Sequence, residues 1–371
     1  MKFYLNKNVF DAALDRIRWL FDEFPNIIVG VSGGKDSTVL YHLCLQVARE
    51  KDRLPLSVLF IDQEAEWQGT VDIIREWMYN PDVTPKWYQM PIRLFNATST
   101  VEHWLHCWDP EQKDLWVHEQ DPVSVKENVY GTDRFGELFG AILKKEYPDT
   151  PSAYISGVRA EEAPKRYMAV TQYLTYKDVT WGSIQNKSKH HYTFYPIYDW
   201  SYTDVWKAIH DNKWKYNRIY DLQYQYGLPI AEMRISNIHH ETAVKSLFHL
   251  QEMEPDTYNK VTRRLVGIDM AGKMGTDDYF INDCPDMFKD WVEYRDYLLD
   301  NLIDEQWKQR FRDKFKRMDE IWADVMGKTL YKTQINSILT NDWEFCKLNN
   351  FENRPANACI RLNKQGKGIL K

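Results

Sequence analysis

The chain has 371 residues, 43% of them apolar and 27% charged, with 16 Gly and 15 Pro; at about 150 residues per domain it holds roughly two domains, and disordered, collagenous and low-complexity architectures are excluded. A formal charge of −6 gives no general attraction to nucleic acid or an anionic membrane. Five widely spaced cysteines, Cys44, Cys107, Cys284, Cys346 and Cys359, form no C-x-x-C pair, which argues against a disulfide framework, a zinc ribbon and a cysteine-ligated iron–sulfur cluster.

Val9, Phe10, Ala13, Leu14, Ile17, Leu20 and Phe21 recur at helical spacing and predict an amphipathic helix over 9–23 with Asn8 as its N-cap. The short β-branched run Asn26–Val31, without polar alternation, predicts a strand covered on both faces, ending in Ser32-Gly-Gly-Lys-Asp-Ser37. Helical spacing resumes over 38–49. Leu56–Ile61 predicts a second buried strand ending at Asp62, 71–78 a helix, and 86–90 a weaker third strand. The stretch 94–147, rich in Trp, His and acidic residues, is too long for a plain crossover and predicts a lid or helical insertion. Residues 153–156 predict a fourth strand, ending at Gly157. From Asp278 onward, charges with aromatic residues at helical intervals predict a helical C-terminal region. Strands alternating with helices mean an α/β fold with a parallel sheet, whose ligands sit at the carboxyl ends of the strands. The expected division is an α/β domain over 1–230, including the insertion, and a mostly helical region over 231–371. No apolar run approaches the roughly 20 residues that span a bilayer, and no signal-type segment follows Met1, so a soluble cytoplasmic protein is expected.

The loop after the first strand carries the sharpest chemistry. Gly33 and Gly34 permit a tight turn that brings main-chain N–H groups to an anion, and the next helix adds its positive end. Ser32 and Ser37 supply hydroxyls and Lys35 a charge; Asp36 either caps the helix or reaches phosphates through Mg²⁺. The spacing departs from G-x-x-x-x-G-K-[ST], because only three residues separate Gly30 from Gly34 and Asp36 follows Lys35. Past the fourth strand, Arg159, Lys165 and Arg166 can clamp a phosphate or sulfate, with Glu161 and Glu162 orienting them. Asp199 and Asp204 are expected to cap or brace a helix starting near Thr203, with Trp200 and Trp206 packing on the sheet. Residues 186–191 read as a basic exposed loop. His239, His240 and Glu241 offer metal-ligand chemistry, but adjacent histidines face different sides of a helix, which favours structural roles. Arg234 and His239 remain candidates for the ligand pocket.

The loop Ser32–Ser37 after its strand resembles the PP-loop of the ATP pyrophosphatases and of the adenylyl-sulfate and phosphoadenylyl-sulfate (PAPS) reductases. Val58–Asp62 is similar to the second strand of that superfamily, Gly157–Arg166 to its G-x-R-x-x-E-S-x-x-R loop, and Tyr195–Trp206 to its P-I-x-D-W-x-x-x-D-V-W segment. The resemblance covers residues 26–228 and implies an adenine nucleotide alpha-hydrolase-like (HUP, Rossmann-like) fold that binds an adenine nucleotide. Ala163 stands where the superfamily usually has Ser, which removes one hydroxyl contact. Met233–Thr242 further resembles the PAPS reductase-like subgroup called IbrA, co-activators of prophage gene expression, which implies a ParB-like partner protein.

Three functional readings follow. The superfamily's reductases carry a relaxed loop, whereas its ATP-splitting enzymes keep the full Ser-Gly-Gly-x-Asp-Ser retained here. The first expectation is therefore an enzyme that cleaves ATP to AMP, or an adenylylated acceptor, and pyrophosphate with Mg²⁺ at Asp36. Its catalytic groups would be Lys35, Asp36, Arg159 and Arg166, and its nucleotide-binding residues Ser32, Gly33, Gly34, Lys35, Ser37, Asp62, Gly157 and Arg159. The second is PAPS or adenylyl-sulfate reduction without an iron–sulfur cluster, which needs an essential thiol from Cys284, Cys346 or Cys359. The third is a regulatory protein that binds a nucleotide as a signal with a ParB-like partner, nucleic acid being a possible further contact.

Overall fold

The computed structural model describes residues 5–364 except 97–98, 100–101, 103, 172–173, 186–189, 231–232, 236, 240–243 and 269–282. Two compact units emerge, one comprising 1–94 and 106–237, the other 95–105 and 238–371.

In the first unit, Asn8 accepts a hydrogen bond from the Asp11 amide and starts helix α1 (Val9–Glu23), which buries Ala13, Leu14, Ile17, Leu20 and Phe21. Strand β1 (Asn26–Gly30) follows, buried from Ile27 onward, and then α2 (Lys35–Glu50). Helix α2 begins earlier than its apolar spacing suggested because Lys35, Asp36 and Ser37 supply a polar first turn. Next along the chain come β2 (Leu56–Ile61), α3 (Gln68–Met78), β3 (Val83–Tyr88), β4 (Ile92–Phe95), β5 (Trp104–Cys107), α4 (Phe135–Glu146), β6 (Ser152–Ile155), α5 (Pro164–Thr171), β7 (Gly182–Ile184), β8 (His191–Phe194), α6 (Tyr202–Asn212) and α7 (Ile219–Gln225), of which Phe95 in β4 and Trp104 and Leu105 in β5 belong to the second unit.

The main sheet runs β3-β2-β1-β6-β8-β7, parallel except for β7, which pairs antiparallel with β8. From β1 the chain winds outward through β2 and β3, then returns to place β6 on the other side of β1. The loops after β1 and β6 therefore leave toward opposite faces and open a crevice at the strand ends, the usual ligand position in such sheets.

The sequence placed the third strand three residues too late. Pro85 sits within β3, and because β3 lies at the sheet edge its missing N–H costs no ladder bond. His191, read as part of a loop, opens β8, and its Nδ1 lies 2.7 Å from Ser152 Oγ of the neighbouring strand; residues 186–189 of that basic run lie outside the described residues. The insertion holds β4, β5, a short 3-10 turn at Pro110–Leu115 and α4. Ser201 and Asp204 cap α6 reciprocally, whereas Asp199 receives the Arg16 fork at 2.7 and 2.8 Å: it ties α1 to the chain before α6.

The second unit is helical: α8 (Val244–Met253), α9 (Pro255–Arg264), then helices Trp291–Leu302, Glu305–Leu339, Cys346–Glu352 and Pro355–Lys364. Phe311, Phe315, Met318, Trp322, Trp343, Leu348 and Phe351 fill its core. Asp342 accepts the amides of Cys346 and Lys347, both at 2.7 Å, and so starts the helix that follows. No described helix is long and apolar enough to cross a membrane.

Candidate functional site

Strand β1 delivers the glycine loop to the crevice. Gly33 adopts φ +69°, a left-handed conformation that side chains disfavour, and a Cβ there would sit 2.9 Å from Thr70 Cγ2. Gly34 is the N-cap of the 16-residue α2 and contributes no capping side chain, which leaves the amides of the helix's positive end to other partners. Ser37 Oγ donates to the Gly34 carbonyl at 2.9 Å and accepts from the Ser32 amide at 3.2 Å. The two serines thus fix the loop's curvature from inside.

Lys35 is only 6% exposed. Its Nζ donates to the Met233 carbonyl at 3.1 Å, lies 3.8 Å from Asp36 Oδ2 and sits 5.3 Å above the Tyr220 ring. Its amide donates to Tyr220 Oη at 2.9 Å. Burial holds the Lys35 amine below its usual pKa, Asp36 opposes that, and the cations Arg159 and Arg234 add to it.

Arg159 enters from the β6 loop, 4% exposed. Its Nε donates to Asp36 Oδ1 and its Nη1 to the Trp200 carbonyl at 3.4 Å, while a Glu161 oxygen lies 3.6 Å from Nη1 and a Glu162 oxygen 3.7 Å from Nη2. Arg166, one turn into α5, pairs with Glu162. Burial lowers the Arg166 pKa; Asp36 opposes this, and Arg234 and Arg159 reinforce it. Gly157 brings this loop against the first turn of α2, where a Cβ would stand 3.2 Å from the Asp36 carbonyl carbon. The Lys165 side chain lies outside the described residues. Lys35, Asp36, Arg159 and Arg166, predicted as one constellation from two distant motifs, are thus brought to one crevice.

At the end of β2, Asp62 is fully buried. It accepts from Trp87 Nε1, Gln89 Nε2 and the Glu64 amide, each at 2.9 Å, and His118 Nε2 stands 3.3 Å away. Although burial opposes both charges, their attraction lowers the Asp62 pKa and raises that of His118. The carboxylate faces inward and holds the turn 62–66, so any part it takes toward a ligand runs through that turn. Glu64 sits there at φ +62° and accepts from the Trp108 amide at 2.8 Å.

Glu66, 4% exposed, accepts from Asn237 Nδ2 at 2.8 Å. Burial, reinforced by the Asp62 charge, pushes its carboxyl well above the usual range. Its stabilising contribution is therefore full below its unfolded pKa and is lost as pH rises through its folded one. Glu66→Gln, neutral at every pH, is expected to melt at a higher temperature than the parent at about pH 8 and at the same temperature at about pH 4; thermal denaturation at the two pH values checks this.

Sequence reasoning missed Asn217, Tyr220, Gln223 and Glu66. Asn217 Nδ2 donates to the Gly33 carbonyl at 3.3 Å and to Thr70 Oγ1 at 3.0 Å, while its Oδ1 accepts from the Ile219 amide at 3.0 Å. The available signal was Asn217 as a side-chain cap two residues before an apolar helix, with Tyr220 and Gln223 on one face three apart. His239 is buried in the helical unit; His240 and Glu241 lie outside the described residues. Among the described residues no group of three His, Cys, Asp or Glu is arranged to hold a metal ion. Cys44 and Cys107 are buried, Cys284 is intermediate, and Cys346 and Cys359 are exposed.

Residues 26–226 match the family model of the phosphoadenosine phosphosulfate reductase domain, and residues 227–368 match that of a domain of unknown function (DUF3440). An uncharacterized protein of Escherichia coli, YbdN, is 26% identical, the match covering 99% of this chain and 96% of YbdN. The adenosine 5'-phosphosulfate reductase of Staphylococcus epidermidis is 24% identical across 57% of this chain and 73% of its own length. Among solved structures, a phosphate complex of PAPS reductase from Candida auris is similar with a TM-score of 0.36 and 17% identity, covering 65% of this chain and 99% of that one. The FMN adenylyltransferase of Candida glabrata, in complex with FMN and an ATP analog, gives a TM-score of 0.36 and 15% identity over 59% of this chain and 64% of that one.

Proposed function

Since the chain belongs to the phosphoadenosine phosphosulfate reductase domain family, whose model matches more than half of it, we propose that its crevice binds an adenine nucleotide and cleaves ATP between the α and β phosphates. The observation that carries this reading is the loop 32–37. Both serines, both glycines and a buried Lys35 are retained, and the loop turns directly into the positive end of α2.

An oxygen of water or of an acceptor attacks the α phosphorus and forms a new P–O bond. The bond from that phosphorus to the bridging oxygen breaks, its electron pair leaves with pyrophosphate, and the attacking group's proton passes to solvent. The protein's part is positioning and charge stabilisation. Main-chain amides of the loop hold the phosphate chain, Lys35 and Arg166 offset charge developing on the departing oxygens, and Arg159 holds Asp36 in place from Nε. Asp36, with Oδ1 accepting from Arg159 and Oδ2 3.8 Å from Lys35 Nζ, is the carboxylate that would hold a phosphate-bound Mg²⁺. When bound, it supplies further neutralisation of the leaving group.

Sulfonucleotide reduction needs a reactive thiolate, and at Cys284 burial, and then the carboxylates Asp290, Glu293 and Asp286, raise the pKa and so weigh against one. Incubating the full chain with ATP and Mg²⁺ is expected to release pyrophosphate; release of orthophosphate alone would contradict the cleavage site.

A further inference from the structure

The stretch matched by the second family model starts at residue 227, yet its first described parts, 227–230, 233–235 and 237, belong to the first unit. Three hydrogen bonds pin it around the glycine loop. The Met233 carbonyl accepts from Lys35 Nζ at 3.1 Å, the Arg234 carbonyl accepts from Gln223 Nε2 at 2.7 Å, and Asn237 Nδ2 donates to Glu66 at 2.8 Å. Met233 and Gln223 are 2% and 1% exposed, so the anchors are buried. Between them the backbone of residue 234 is held in place while its side chain remains exposed.

Charge bookkeeping singles out that side chain. Lys35, Arg159 and Arg166 are matched by Asp36, Glu161 and Glu162, each of which lies within 4 Å of at least one of the three cations. Among the described residues Arg234 has no carboxylate partner, and its charge depresses the pKa values of both Lys35 and Arg166. With the neighbouring Met233 carbonyl held on Lys35 Nζ, this guanidinium adds to the positive potential that draws an anion to the loop.

Resting on the nucleotide reading above, we propose that Arg234 is a specificity-determining residue that reads the distal phosphates, so that the crevice selects nucleoside triphosphates over monophosphates. The loop amides and α2 hold the phosphate chain; the additional negative charge of a longer chain is met also by the one guanidinium of the cluster that no described carboxylate balances. Charge-assisted contacts of this kind are stronger than neutral ones and weaken with salt.

The test measures binding of AMP and of α,β-methylene-ATP, which cannot be split at the bond in question, to the full chain by calorimetry. Arg234→Ala is expected to weaken the triphosphate analogue about tenfold or more, to change AMP less than about twofold and to flatten the salt dependence. Arg234→Lys should recover part of the loss. Equal losses for both ligands, or no loss for either, would overturn the assignment while leaving the nucleotide reading intact. Failure of the parent protein to bind either ligand would overturn both. Unchanged melting temperatures in the two variants would verify that the exposed substitution leaves the fold alone.

Discussion

Lys35→Ala is expected to weaken ATP binding about 100-fold, which corresponds to about 2.7 kcal/mol, and to abolish measurable pyrophosphate release. The effect is large because the ammonium is buried and aimed: it lies against the Met233 carbonyl and over the Tyr220 ring, at the start of the helix that carries the loop. Truncation removes the one positive charge built into the loop itself and leaves a buried carbonyl without its donor, a loss of about 1–3 kcal/mol by itself. Calorimetry with ATP reads the first consequence and thermal denaturation the second. Undiminished nucleotide uptake by Lys35→Ala would remove the basis for placing phosphates in this loop.

The second large effect belongs to the helical unit. Arg295 is 7% exposed and donates to Asp296 at 2.8 Å, Asp319 at 2.7 Å and Gln334 at 2.9 Å, with its guanidinium 5.5 Å from the Phe315 ring centre and 5.4 Å from that of Tyr331. Gln334 in turn donates to Asp319 at 2.9 Å. The group locks helix Trp291–Leu302 to helix Glu305–Leu339. Arg295→Met keeps much of the volume but takes its cation from the half-buried Asp319, a loss of about 1–3 kcal/mol. The expected result is loss of the helical unit at a lower denaturant concentration than the parent, followed by circular dichroism. The double variant Arg295→Met with Asp319→Leu should regain part of the loss, because it leaves no buried charge behind. A single variant within about 0.5 kcal/mol of the parent would show that the network is not a stabilising lock.

The PAPS reductase-like parallel sheet and the helical C-terminal region were legible because their signals are local. Leu56–Ile61 is a run apolar at all but Ser57, flanked by Pro55 and Asp62, and the strand has those bounds. Helix 9–23 carried both its period and its cap. The glycine loop was legible for the same reason, since a turn and the helix after it are written in consecutive residues. Groups that arrive from far along the chain were not. Tyr220 reaches the loop across 185 residues and Met233 across 198, separations that local spacing does not bridge. Strand β8 escaped because its four residues start at a histidine that resembles loop until Ser152 is placed beside it.

Tyr220 has a consequence for how any ligand must enter. Its hydroxyl already occupies the Lys35 amide, so an incoming phosphate oxygen that takes this donor would exchange one hydrogen bond for another and gain little from the count alone. Discrimination at this position then lies in valence: an uncharged mimic meets an incumbent of equal worth, whereas an anion brings a field that the phenol lacks.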